Sequence, residues 1–230
     1  MTVSITPPKA TFIRWCLVVI LAIAFGYNEA AVVVYLRQIF HPEGFSFPLS
    51  ANFLADKSRD LLFAEVGREA ATLAVIFSAC LLAGGNLRQR VAYFMTIFAV
   101  WDIFYYVWLK ALIGWPASMM DWDILFLIPV PWAGPVLAPV LVSAAMLVFA
   151  GIILYRDVAG RAISPSFWEW FGFCAAGIVV IVSFCIPGRH ITEADYTGHF
   201  SWAFFGAGLL GAVALFTKCF YKKTPGKTGG

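Results

Sequence analysis

Glu29, Glu65, Arg68, Glu69 and Asp102 stand inside stretches that are otherwise apolar enough to cross a bilayer. Charge in hydrocarbon is costly, so such residues face a bundle interior or a cavity and mark ion paths, proton relays or substrate sites. Glu65, Arg68, Glu69 and Thr72 recur at i, i+3, i+4 and i+7, which puts them on one face of a helix. Asp102 shares a face with Tyr105 and Tyr106, and Glu29 is flanked by Asn28. Position along each stretch places the four carboxylates at one depth, in the outer half of a membrane, and predicts a polar pocket between the first three helices.

Four carboxylates against Arg68 leave a surplus of negative charge in a poorly solvated place, so protons, a metal ion or a cationic substrate must make up the difference. Glu29, Glu65, Glu69 and Asp102 are therefore the expected catalytic groups or proton carriers. The same four, joined by His199, are the expected metal ligands. The planar fork of Arg68 can hold two carboxylates, and Arg68, Asn28, Tyr105, Tyr106 and Asp123 are the expected substrate-binding groups. A mostly oxygen donor set points to a divalent cation such as Mg, Mn or Ca, and to iron only if His199 takes part. A structural alternative stays open, in which Arg68 bridges Glu29 or Asp102 only to fix helix register.

Other chemistries find no support in the residue pattern. The three histidines, His41, His190 and His199, lack HxxxH or HExxH spacing, which argues against haem held by two membrane-depth histidines and against a histidine-rich zinc site. The cysteines show no CxxC pair and read as small buried hydrophobes. There is no GxSxG and no P-loop lysine motif. The net charge of +3 is topological and carries no nucleic-acid footprint.

The elements that hold these residues follow from composition. The chain is 61% hydrophobic and 13% charged, half the roughly 25% charge of soluble domains, and its mean hydropathy is +0.83. Apolar runs over residues 13–36, 62–84, 90–112, 134–155, 166–186 and 199–220 each approach the roughly 20 residues that a spanning helix needs. The expected architecture is an all-α bundle of six transmembrane helices forming one integral membrane domain over residues 1–230. Small residues at four-residue spacing suggest close helix contacts at Ala203, Ala207 and Gly211, at Gly172 and Ala176, and at Ala70, Ala74 and Ser78.

Two connections are more than turns. Residues 41–61 are long enough to cap one face. Residues 115–135 carry a short apolar run, Ile124 to Ile128, between acids and prolines, which suggests a re-entrant or interfacial segment before helix 4. Trp101-Asp102-Ile103-Phe104 and Trp122-Asp123-Ile124-Leu125 are alike, but over too few residues to imply a duplicated fold. Lys9, Arg14, Arg88, Arg90, Arg156, Arg161, Lys218, Lys222, Lys223 and Lys227 fall on one side, and only Arg37, Lys57, Arg59, Lys110 and Arg189 on the other. The positive-inside rule then makes both termini cytoplasmic, in a plasma (inner) membrane. The expected function is cation binding or proton exchange in an outward-facing pocket, for an enzyme acting on a lipid-like substrate or for an ion-coupled transporter. The alternative is a non-catalytic subunit of a larger membrane complex. The expected partners are the lipid bilayer and other membrane subunits or further copies of the chain, without nucleic acid.

Overall fold

The structure, a computed structural model, describes residues 8–42, 44–49 and 59–222. Residues 43 and 50–58 of the expected cap lie outside the described residues, as do Lys223 and Lys227. The chain is all-α, 74% helical, with six helices long and apolar enough to span a membrane. They are α1 (Pro8–Phe40), α2 (Arg59–Ala83), α3 (Leu87–Ile113), α4 (Leu137–Val158), α5 (Phe167–Gly188) and α6 (Trp202–Tyr221). At 1.5 Å per residue, the 33 residues of α1 extend about 50 Å, well beyond a hydrocarbon core of about 30 Å. It outruns the expected 13–36 because nothing after Leu36 breaks a helix until Pro42.

Local chemistry sets the other ends. Asn86 caps α3 by accepting from the Gln89 N–H, and Gly114 stops it with a left-handed φ of 71°. Ser166 and Glu169 form a capping box at the start of α5. Ser201 caps α6 by accepting from the Phe204 N–H.

The helices alternate in direction, so that one end of the bundle gathers the starts of α1, α3 and α5 with the ends of α2, α4 and α6. Arg14 donates to Ala83 O at 2.9 Å there, and Asp157 accepts from Asn86, Arg88 and Gln89. α3 is the central helix, packed on α1, α2 and α4 around Ile76, Tyr93, Ile97 and Trp101. Gly26 lets α1 close on α3, since a side chain there would press on Trp101 O at 3.0 Å. α5 and α6 pair through Gly208, set against Ala176 O, and through Gly172, set against Leu215. The Gly172 and Ala176 stripe is thus a contact face. Ala203, Ala207, Ala70, Ala74 and Ser78 are instead exposed on the bundle's outer surface, because Phe205, Gly208 and Phe216 of α6, and Thr72, Ile76 and Cys80 of α2, form the inward faces.

The segment expected to be re-entrant or interfacial forms an antiparallel hairpin of β1 (Trp122–Phe126) and β2 (Trp132–Pro135). A five-residue run that includes Trp122, Ile124 and Phe126 cannot close two helical turns, but it fits a short strand, and Pro129 and Pro131 confine the reversal between them. Pairing runs Trp122 to Pro135, Asp123 to Gly134 and Ile124 to Ala133. The hairpin lies at the other end of the bundle, where β2 packs on the end of α5. A Cβ on Gly188 would collide with the carbonyl of Pro131, and one on Gly134 would meet the Phe184 ring at 3.0 Å. Loop residues cover the hairpin: Leu49 N donates to Ile191 O at 2.8 Å, and Tyr196 packs against Phe47 and Trp122.

The outward faces of the helices carry large apolar side chains such as Leu17, Ile20, Phe77, Leu82, Ile178 and Leu210. An apolar surface of this extent is what a bilayer requires. The close seating of β2 gives a first test. Gly188→Ala should destabilise the protein by about 1–3 kcal/mol, the usual cost of overpacking, whereas Gly151→Ala, with open space around it, should be neutral or stabilising. Thermal unfolding in a mild detergent reads the difference, and equal melting temperatures would show that the hairpin does not rest on α5.

Candidate functional site

Arg68 on α2 pairs with Glu29 of α1 and with Glu65 one turn before it. Its Nε also donates to Glu65 Oε1 at 3.0 Å. α1 and α2 otherwise touch little, so this partly buried triad is their main link. Thr72, next along the α2 stripe, is buried.

The remaining acids join other elements. Glu69, 6% exposed, accepts from the Leu127 backbone N–H through both oxygens, at 3.0 and 2.9 Å, and so ties α2 to the hairpin. Asp102 accepts from the Ser143 hydroxyl at 2.7 Å and ties α3 to α4. Asp123 on β1, 3% exposed, pairs with Arg37 at 3.2 Å and accepts from the Tyr105 hydroxyl at 3.1 Å. Burial pushes the Asp123 carboxyl up to about 6, against the opposing pull of the Arg37 charge and the Tyr105 hydrogen bond. The Arg37 guanidinium itself lies over the Phe45 and Trp115 rings, at 4.2 and 3.8 Å.

These groups border one cavity of about 660 Å³, within the range of small-molecule sites. Glu29, Glu65, Glu69, Asp102 and Asp123 line it near the hairpin, facing Arg37 and Arg68. Toward the opposite end its walls turn mostly apolar, with Phe94 and Phe98 of α3, Met146 and Phe149 of α4, Phe173 of α5 and Phe216 of α6, beside Arg88, which is paired with Asp157. α2 and α5 both line the cavity, but α2 packs chiefly on α3, and α5 on α6 and β2, so the space between α2 and α5 is only lightly closed. Among the described residues the indole nitrogens of Trp101 and Trp132, both on the lining, are shut off from solvent without a hydrogen-bond partner.

The structure thus brings together Glu29, Glu65, Arg68, Glu69, Asp102, Tyr105, Tyr106 and Asp123. It does not bring in Asn28, which is exposed on the far face of α1, one helical position from Glu29. Nor does it bring in His199, whose ring stacks on His190 at 3.7 Å over the loop between α5 and α6. The acids also do not gather on one point: among the described residues, the only three His, Cys, Asp or Glu ligand atoms within 4.8 Å of one another belong to His190, Glu193 and His199. Arg37, which the helical repeat aligns with Glu29 two turns further along α1, is not among the expected site residues but lines the cavity and pairs with Asp123. Ser143 and the two indoles carried no signal, since their roles depend on contacts between helices.

Comparison of the chain with protein-family models, with curated proteins and with solved structures finds no match. What the site can do follows from its own chemistry.

Two outcomes test this geometry. Arg68→Gln should cost about 3–5 kcal/mol, because it leaves two carboxylates facing each other without a counter-charge. Adding Glu29→Gln should recover part of that loss in a double-mutant cycle; strictly additive losses would mean that the two do not interact. For Asp123 the folded carboxyl titrates near 6 against 3.8 when unfolded, so in that window the folded protein holds a proton that the unfolded chain has released. Stability should therefore be greatest below pH 3.8 as far as this group is concerned, and should fall by about 3 kcal/mol as pH rises past 6. Asp123→Asn should flatten that slope in pH-dependent unfolding, and an unchanged slope would assign it to another group.

Proposed function

We propose that the protein is a multi-pass membrane protein whose cavity takes up an amphiphile with a long apolar chain and a positively charged head group, exchanging a proton with it. The carrying observation is the segregated lining, apolar along α3 to α6 and acid-rich beside the hairpin. An acyl or alkyl chain would lie along the aromatic walls. Its head group would meet Glu69 and Asp102, whose hydrogen bonds come from neutral donors, Leu127 N–H and the Ser143 hydroxyl. Glu29 and Glu65 are already committed to Arg68, and Asp123 to Arg37.

The separate partners of the acids favour a proton or an ammonium group over a shared metal ion. The orphaned indole N–H groups of Trp101 and Trp132 suit acceptor oxygens on the same head group. A lipid-like molecule would enter sideways between α2 and α5. The excess of Lys and Arg at the opposite end supports an arrangement with both termini in the cytoplasm and the hairpin facing outward, in a plasma (inner) membrane. One site of this kind serves either an enzyme that transforms the amphiphile or a carrier that moves it against protons, and recovery of an altered product separates the two.

The rival reading, a non-catalytic subunit of a larger assembly, draws on the Glu29, Arg68 and Glu65 triad as a register clamp between helices. Tryptophan quenching by spin-labelled long-chain amine and long-chain carboxylate probes of equal length, in detergent micelles, decides between them. The amine should bind at least ten times more tightly, and Glu69→Gln and Asp102→Asn should each remove most of that preference. Equal affinity for both probes, together with a copurifying stoichiometric partner, would support the subunit instead.

A further inference from the structure

We propose that His190, Glu193 and His199 form a separate metal site, for zinc or a similar first-row divalent ion, on the loop between α5 and α6. Their ligand atoms lie within 4.8 Å of one another, a gathering that none of the intramembrane acids achieves among the described residues. His190 Nδ1 is 2.8 Å from Glu193 Oε1, and His199 Nε2 is 3.5 Å from Glu193 Oε2, so the carboxylate already spans the two rings. Among the described residues His199 Nε2 is shut off from solvent without a hydrogen-bond partner, and turning one ring out of the His190 stack would let both imidazoles meet one ion. A buried imidazole nitrogen left in that condition beside a carboxylate is the arrangement a metal ion would satisfy.

Two imidazoles and a carboxylate make a borderline donor set that suits zinc, cobalt, nickel or copper over magnesium or calcium. Asp195 Oδ2, 3.9 Å from His199 Nε2, is placed to supply a fourth ligand after a small rotation. Such a tetrahedral site would clamp the two ends of the loop, because His190 follows directly on α5 and His199 precedes α6. Between them Ile191 is packed with Leu49, and Tyr196 lies on Trp122 and Phe47. Bound metal would therefore stiffen the cover over the hairpin without touching the cavity acids.

The test is metal titration of the full chain without an affinity tag, purified in mild detergent and stripped with chelator. Cobalt should bind one to one, with the visible absorption of a tetrahedral nitrogen and oxygen site, zinc should displace it, and zinc should raise the melting temperature. His190→Ala and His199→Ala should each weaken binding at least tenfold, with Cys174→Ala unchanged. Glu69→Gln should retain the metal, so this site and the cavity can fail independently. Absence of saturable binding in the wild type, or undiminished affinity in the double variant His190→Ala/His199→Ala, would overturn the proposal.

Discussion

A carboxylate enclosed by apolar helices must hold a proton, a donor or a counter-charge, and the rest of this structure is arranged around meeting that demand. Each acid is answered from another part of the fold: Glu29 by Arg68 of α2, Glu69 by the backbone of Leu127, Asp102 by Ser143 of α4, and Asp123 by Arg37 of α1. Helices of the bundle bury few of their apolar side chains against one another, so these polar contacts carry much of the specificity of assembly. They also leave Glu69 and Asp102 with hydrogen bonds from neutral donors, the Leu127 N–H and the Ser143 hydroxyl.

The hairpin converts this arrangement into a site. It supplies Asp123, the Leu127 amide and the Trp132 indole to the end of the cavity that Glu29, Glu65, Arg68, Glu69 and Asp102 also line. Its seat depends on backbone approaching backbone, at Gly188 beneath Pro131, and on Gly134 against the Phe184 ring. The α5 and α6 pair meets the rest of the bundle through β2 and through α4, where Phe149 stacks on Phe216 at 4.1 Å.

Much of this was legible in the residue pattern. The stripe Glu65, Arg68, Glu69, Thr72 lies on one face because helical periodicity alone dictates it, and Arg68 does hold two carboxylates, Glu29 and Glu65. Asp102 was an equal candidate for that bridge, and instead accepts from Ser143 of α4, which packs on α3. Asn28 was less legible, since a neighbour in sequence is rotated by about 100° around the helix, which turns it away from the cavity to an exposed position. His199 sits near the cavity in sequence order and topology, but its ring is captured by His190. Of the three small-residue stripes, only Gly172 and Ala176 mark a contact. Small side chains permit close packing without requiring it, and the larger Phe205 and Phe216 decide which face of α6 turns inward.

The number of long apolar helices and their limits to within a few residues were determined by the sequence itself, because hydropathy and helical periodicity act over a few turns and need no distant partner. Only the tertiary structure decided that residues 122–135 form a hairpin, which counter-charge answers each acid, and that His190 and Glu193 meet His199. Those outcomes rest on contacts between segments far apart in the chain, where crossing angle and the room left by glycine select among partners that are chemically equivalent.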